Sequence, residues 1–254
     1  MKTIAFHIAS DIYKNYSDKM IRSFKHFHPD IPFKVFSQSD INEAKEKYGQ
    51  TPWYGIFGAE LANQCDLLIQ IDADSIVCDR IDEVLKGDYE VAGVLNGSNE
   101  GFQTTGVGIG QVQYLNAGLV ASTLKAFWTE WKEKTLKDWK KYRYGEQDIF
   151  NHIFYSGKYK TKVLDPIEGD VYYGSSSCGQ WDKTYVVSKG EKIMLNGKTV
   201  KVIHFAGQAS QKKFNFVEFP PVVQGRIKNL IGDTSPILSQ VTLTPSRYPR
   251  GAGH

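Results

Sequence analysis

Short apolar runs alternate along this chain with longer stretches of helical spacing. Thr3–Ala9 is a mostly apolar run, fit for a buried parallel strand. A helix is predicted from about Ser17, because Met20, Ile21, Phe24 and Phe27 keep helical spacing and Pro29 lies just beyond. Phe33–Phe36 reads as a second strand. Thr51 and Pro52 read as the N-cap and first residue of another helix, with Trp53, Ile56, Phe57 and Leu61 facing inward. Leu67–Ile71 is a third strand, apolar on both faces apart from Gln70. Val91–Leu95 and Leu115–Ala121 are further strands. Leu124, Phe127, Trp128 and Trp131 mark a helix at i, i+3, i+4 and i+7, and another follows from Gly145, burying Ile149, Phe150, Ile153 and Phe154. The pair Asn196-Gly197, between Ile193–Leu195 and Thr199–Phe205, signals a hairpin.

Strands alternating with helices predict an α/β fold, with a central, mainly parallel sheet flanked by helices. At 254 residues the chain makes one large domain or two small ones. We divide it into a domain over 1–232 and a C-terminal tail or extension over 233–254, rich in Ser, Thr, Pro and Gly. The formal net charge of +3 argues against a nucleic-acid partner, which would demand a concentrated basic face. No window holds about 18 unbroken apolar residues, so no transmembrane segment is expected. The sparse, odd cysteine set, Cys65, Cys78 and Cys178, suits free thiols in a reducing, cytoplasmic setting, and the N-terminus has no signal-peptide pattern.

The sharpest chemical feature is Asp72-Ala73-Asp74, at the end of the third strand. Carboxylates two apart on an extended chain project to one side, roughly 6–7 Å apart at the backbone, so their oxygens can converge on a divalent cation. Four acid-x-acid pairs occur: Asp72/Asp74, Glu146/Asp148, Asp88/Glu90 and Glu168/Asp170. Only the first ends a near-continuous apolar strand, where open α/β sheets place their ligands. The competing reading is a strand-end turn with Asp74 capping the next segment. A cation held by two carboxylates completes its shell with water and phosphates, which points to a nucleotide diphosphate. His204, near Gly207, is available as a third ligand, or as an ordinary core histidine. Imidazole with carboxylates suits Mn²⁺ better than Mg²⁺.

Taken together, the motifs resemble the GT-A glycosyltransferases, in particular family 8, which includes the glycogenin-like and bacterial galactosyltransferase-like enzymes. Ala9-Ser10-Asp11-x-Tyr13 follows the first strand, where the family binds uridine. Asp72-Ala73-Asp74 is similar to its Asp-x-Asp motif, and Tyr114-Leu115-Asn116-Ala117-Gly118 to its Asn-Ala-Gly strand. Glu146-Gln147-Asp148-Ile149-Phe150-Asn151 resembles its acid-Gln-Asp-x-x-Asn helix start, and His204-Phe205-Ala206-Gly207 its His-x-x-Gly. The resemblance covers about residues 3–213. Two departures stand out. Ser210 occupies the position of the family's lysine after that last glycine, leaving Lys212, with Lys213 beside it, as the candidate for the diphosphate. The helix before the aspartate strand, Pro52 to Gln64, also lacks the basic residue the family often carries there.

The resemblance implies a GT-A fold and a metal-dependent transferase moving a sugar from a nucleotide diphosphate sugar, a UDP-sugar, to a carbohydrate or glycan acceptor, with retention. Asp72, Asp74 and His204 would hold Mn²⁺ or Mg²⁺. Ala9, Ser10, Asp11, Tyr13, Ala73, Asn116, Ala117, Gly118, Gly207 and Lys212 would bind the donor. Gln147 would stabilise the cationic anomeric carbon and Asp148 the sugar hydroxyls; the rival reading of Glu146 and Asp148 is helix-dipole stabilisation. Other readings are an inverting GT-A enzyme with Asp148 or Glu146 as base, a sugar nucleotidyltransferase, and a non-catalytic nucleotide-sugar or glycan-binding protein. Trp128, Trp131 and Trp139 are expected to pack rather than bind sugar. A glycine-rich loop over Asn96–Gln113 is expected to cover the site, and Tyr172, Tyr173 and Trp181 are candidate acceptor platforms.

Overall fold

The computed structural model describes residues 1–96, 114–164, 170, 172, 185–188, 190–205, 216 and 219–237. Strands β1 (Thr3–Ile8), β2 (Phe33–Phe36) and β3 (Leu67–Ile71) run parallel. With β5 (Val91–Leu95), β6 (Leu115–Ser122) and β7 (Thr161–Leu164) they form a six-stranded sheet, ordered β2-β1-β3-β6-β5-β7. Strand β6 is antiparallel to both its neighbours, β3 and β5, so the sheet is mixed and mostly parallel. Every residue of β3, β5 and β6 is buried, as expected of strands covered on both faces.

Helices α3 (Tyr54–Leu61), α5 (Lys125–Asp138) and α6 (Glu146–Phe154) cover one face, joining Phe6, Leu68 and Val120 in a single apolar cluster. Helix α1 (Lys14–Phe27) and the short α4 (Asp82–Lys86) cover the other, packing Met20, Phe24 and Val84 on Ala5, Ile69 and Leu119. Helices α3 and α5 approach so closely that a Cβ on Gly58 would lie 2.1 Å from the Trp128 ring. Trp128 and Trp131 are both fully buried and stack at 5.6 Å, so they are packing residues.

Some elements depart from the expected bounds. Helix α1 begins at Lys14 rather than Ser17, preceded by a 3-10 turn over Asp11–Tyr13. Helix α3 starts at Tyr54, two residues after Pro52, because its first amides are capped by a carboxylate from elsewhere in the chain. Helix α2 (Gln38–Tyr48) was not expected; a capping box between Ser37 and Asp40 starts it, and it buries Ile41 and Ala44.

The expected hairpin forms between β9 (Ile193–Leu195) and β10 (Lys198–Thr199), with Asn196 and Gly197 both at positive φ and β8 (Tyr185–Val187) antiparallel to β9 on its other edge. The strand expected over Thr199–Phe205 is divided: β10 stays with β9, and β11 (Val202–His204) pairs antiparallel with β4 (Ser75–Val77). The switch is pinned by Cys78 N–H donating to the Lys201 carbonyl and by Lys201 Nζ, 2.9 Å from Asp79 Oδ2.

A third apolar cluster joins Tyr16, Phe205 and Phe219 to β9 and to helix α7 (Pro221–Ile231). Past α7, Lys228 Nζ donates to the carbonyls of Ser235 and Pro236, and Asp233 lies 3.7 Å from Lys19 Nζ, so residues 233–237 are held against the domain. Among the described residues, no helix is long and apolar enough to cross a membrane.

Candidate functional site

Three chain segments deliver the central cluster. Strand β3 ends at Ile71 and the chain turns through Asp72–Asp74, with Ser75 N–H donating to the Asp72 carbonyl at 3.1 Å. Asp72 N–H donates to the Gly118 carbonyl of β6 at 2.8 Å, which ties the turn to the sheet. The β4–β11 pairing sets His204 opposite Ser75, and Phe205 N–H donates to the Asp74 carbonyl at 2.9 Å.

His204 Nε2 therefore lies 3.3 Å from Asp72 Oδ2 and 3.1 Å from Asp74 Oδ1. One ligand atom from each of the three residues falls within 4.8 Å of the others. Among the described residues no other trio of His, Cys, Asp or Glu converges in this way. Burial opposes charge on the imidazole, but Asp74 and Asp72 outweigh it and raise His204 to about 10. Two carboxylates around an imidazole that must shed a proton to ligate are a donor set a divalent cation fits.

Neighbouring side chains hold the cluster in place. Asp72 Oδ1 accepts from the Tyr54 hydroxyl and, at 2.8 Å, from Gln70 Nε2, leaving Oδ2 turned to His204. Gln70 was legible as the polar exception in its strand; Tyr54 carried no signal, since it lies on a distant helix. Gly118 has a reason other than ligand approach: a Cβ there would lie 2.3 Å from His204 Cε1, so the histidine ring occupies the space.

The start of α6 sorts its three polar residues into three roles. Glu146 Oε1 and Oε2 accept from the Trp53 and Tyr54 amides at 3.2 and 2.9 Å, capping α3. Burial pushes its carboxyl up to about 8, against the lowering effect of those amides. Gln147 Oε1 accepts from Ala117 N–H at 3.0 Å, and its Nε2 donates to Tyr114 at 3.3 Å. Asp148 is fully buried; one oxygen accepts from the Tyr114 hydroxyl and the other from Tyr144 N–H at 2.9 Å.

A cavity of about 520 Å³ opens over these groups. Asp72, Ala73, Asp74, His204, Asn116, Glu146 and Gln147 line it, together with Ser10 and Tyr13 from the end of β1. Tyr54, Trp53 and a face of α2 complete the wall.

Several expected site residues fall elsewhere. Asp148 is not among the residues that line the cavity; its carboxylate accepts from the Tyr114 hydroxyl and the Tyr144 amide. Ala9 and Asp11 are outside the lining; Ala9 N–H bonds to Phe36 and Asp11 is exposed. The amides of Ala117 and Gly118 donate to Gln147 Oε1 and to Asn116 Oδ1. Tyr172 is a core residue at 1% exposure, not an acceptor platform. Gly207, Lys212, Tyr173 and Trp181, with 97–113 of the glycine-rich loop, lie outside the described residues.

No family model and no curated protein matches the chain by sequence. Solved structures do match it by fold. The galactosyltransferase LgtC, in complex with donor and acceptor sugar analogs, superposes at a TM-score of 0.60 and 19% identity, over 92% of this chain and 97% of its own. The bifunctional glycosyltransferase WbbM, in its apo form, matches at 0.54 and 15%, over 91% of this chain and 50% of its own. The glycosyltransferase GlyE of Streptococcus pneumoniae TIGR4 matches at 0.53 and 14%, over 91% and 63%. At these identities the likeness establishes the fold, and the GT-A architecture expected from the motifs is the one the chain adopts.

Proposed function

We propose that the chain is a retaining glycosyltransferase that uses Mn²⁺ and a UDP-sugar and works in the cytoplasm. The observation that carries this reading is the meeting of Asp72 and Asp74 with His204, 130 residues beyond Asp74, in a cavity that Asn116 and Gln147 also line. The fold shared with LgtC, solved with donor and acceptor sugar analogs, supports it. The sparse cysteines support the compartment.

In the transfer, the bond between the anomeric carbon and the phosphate oxygen breaks, its electrons passing to the diphosphate. The acceptor oxygen bonds to the same face of that carbon, and its proton goes to the departing phosphate oxygen. A divalent cation held by Asp72, Asp74 and His204 would neutralise the leaving charge. Gln147, its carboxamide clamped by Ala117 and Tyr114, would stabilise positive charge at the anomeric carbon. Ser10 and Tyr13 would hold the nucleoside, and Asn116 the donor sugar. Retention is favoured because both carboxylates that could act as an inverting base are engaged, Glu146 with the amides of α3 and Asp148 with its two tyrosines.

A screen of nucleotide sugars with Mn²⁺ and with EDTA tests the reading. We expect slow metal-dependent donor hydrolysis or transfer, with NMR coupling constants reporting the donor's own anomer. An inverted product would transfer the role to Glu146, and absence of any donor turnover or binding would remove the reading.

A further inference from the structure

Helix α2 turns one face to the cavity, where Gln38, Ile41 and Lys45 line the wall at i, i+3 and i+7. Lys45 is the only lysine or arginine among the described lining residues. It is half-buried, and among the described residues it forms no ion pair. The acids on the same wall have other partners: Asp72 and Asp74 face His204, and Glu146 caps α3.

Charge bookkeeping then leaves a deficit. Asp72 and Asp74 cancel a divalent cation when His204 ligates as neutral imidazole, and a nucleoside diphosphate ester brings about two further negative charges. The amides at the start of α3, which could have received an anion, are filled by Glu146. That helix carries no lysine or arginine of its own. Among the described lining residues, the positive charge that would offset the diphosphate comes from α2, through Lys45.

We infer that Lys45 binds a phosphate oxygen of the donor, approaching from the α2 side of the cavity. This rests on the nucleotide-sugar reading above. Lys45 thereby supplies from α2 the cation that α3 lacks.

Calorimetric titration of the full chain with UDP and other nucleoside diphosphates in the presence of Mn²⁺ tests the assignment, with the matching nucleoside followed by NMR. Lys45→Gln should weaken the diphosphate about tenfold or more and leave the nucleoside unchanged. Lys45→Arg should recover most of the loss, and the wild type should lose more affinity with added salt than Lys45→Gln does. Diphosphate affinity within twofold of wild type in Lys45→Gln overturns the assignment while the nucleotide-sugar reading stands. Equal weakening of diphosphate and nucleoside also overturns it. Failure of the wild type to bind any nucleoside diphosphate sinks both.

Discussion

Two acid-x-acid pairs, Asp72/Asp74 and Glu146/Asp148, share one spacing and have opposite fates. The first lies in the turn between β3 and β4, and the β4–β11 pairing brings His204 to both carboxylates. The second opens a helix, where residues two apart point about 200° away from each other. Glu146 goes to the cavity wall and the start of α3, and Asp148 goes inward to Tyr114 and Tyr144. The lesson is that carboxylate spacing carries chemistry only through the element that bears it. One pair joins His204 in a cluster a divalent cation would fit; the other builds the scaffold around it.

The comparison breaks most visibly at Asp74. Asp74→Asn should reduce Mn²⁺-dependent diphosphate binding about a hundredfold or more while the chain still folds, with some loss of melting temperature as His204 loses its buried partner; calorimetry of binding and unfolding checks both. Asp148→Ala should act on stability and spare the cation site. Loss of its carboxylate orphans the Tyr114 hydroxyl and the Tyr144 amide, costing about 3 kcal/mol in denaturant unfolding, with cation affinity retained in the folded fraction. Equal effects of the two changes on cation binding would erase the distinction between the pairs.

Tyr54→Phe is a milder test. It removes one of the two donors on Asp72 Oδ1, and cation affinity should fall about tenfold. Glu146 gives the smallest and most specific effect. Its folded carboxyl sits near 8 against an ordinary 4.5, so the folded state retains a proton that the unfolded chain releases. The stability this provides is full below about 4.5 and disappears as pH rises through 8. Melting temperature plotted against pH should therefore decline less across that window in Glu146→Gln than in wild type.

Much of this was legible because strands buried on both faces announce themselves as apolar runs, and β3, β5 and β6 did. Helix α2 was obscured because it buries only Ile41 and Ala44, although Ser37 and Asp40 spelled out its capping box. The start of α3 could not be read locally, since its cap, Glu146, lies 92 residues from Tyr54. The division of Thr199–Phe205 was hidden for a similar reason: Lys201 answers to Asp79, and β11 to β4. In the site, the converging trio followed from strand-end context and motif order. The inward turn of Asp148 could not be read from helical periodicity, since at 100° per residue it lies opposite the stripe of Ile149, Phe150, Ile153 and Phe154 and is buried by Tyr114 and Tyr144 instead. Tyr54 and Lys45 join the cavity through tertiary packing alone.

Anomalous scattering at the manganese edge, from crystals grown with Mn²⁺ and a nucleoside diphosphate, tests the cradle most directly. A single peak about 2.0–2.3 Å from Asp72 Oδ2, Asp74 Oδ1 and His204 Nε2, bridged to phosphate oxygens, is the predicted result. A peak away from His204, or diphosphate density in the cavity with no metal between it and the aspartates, would contradict it.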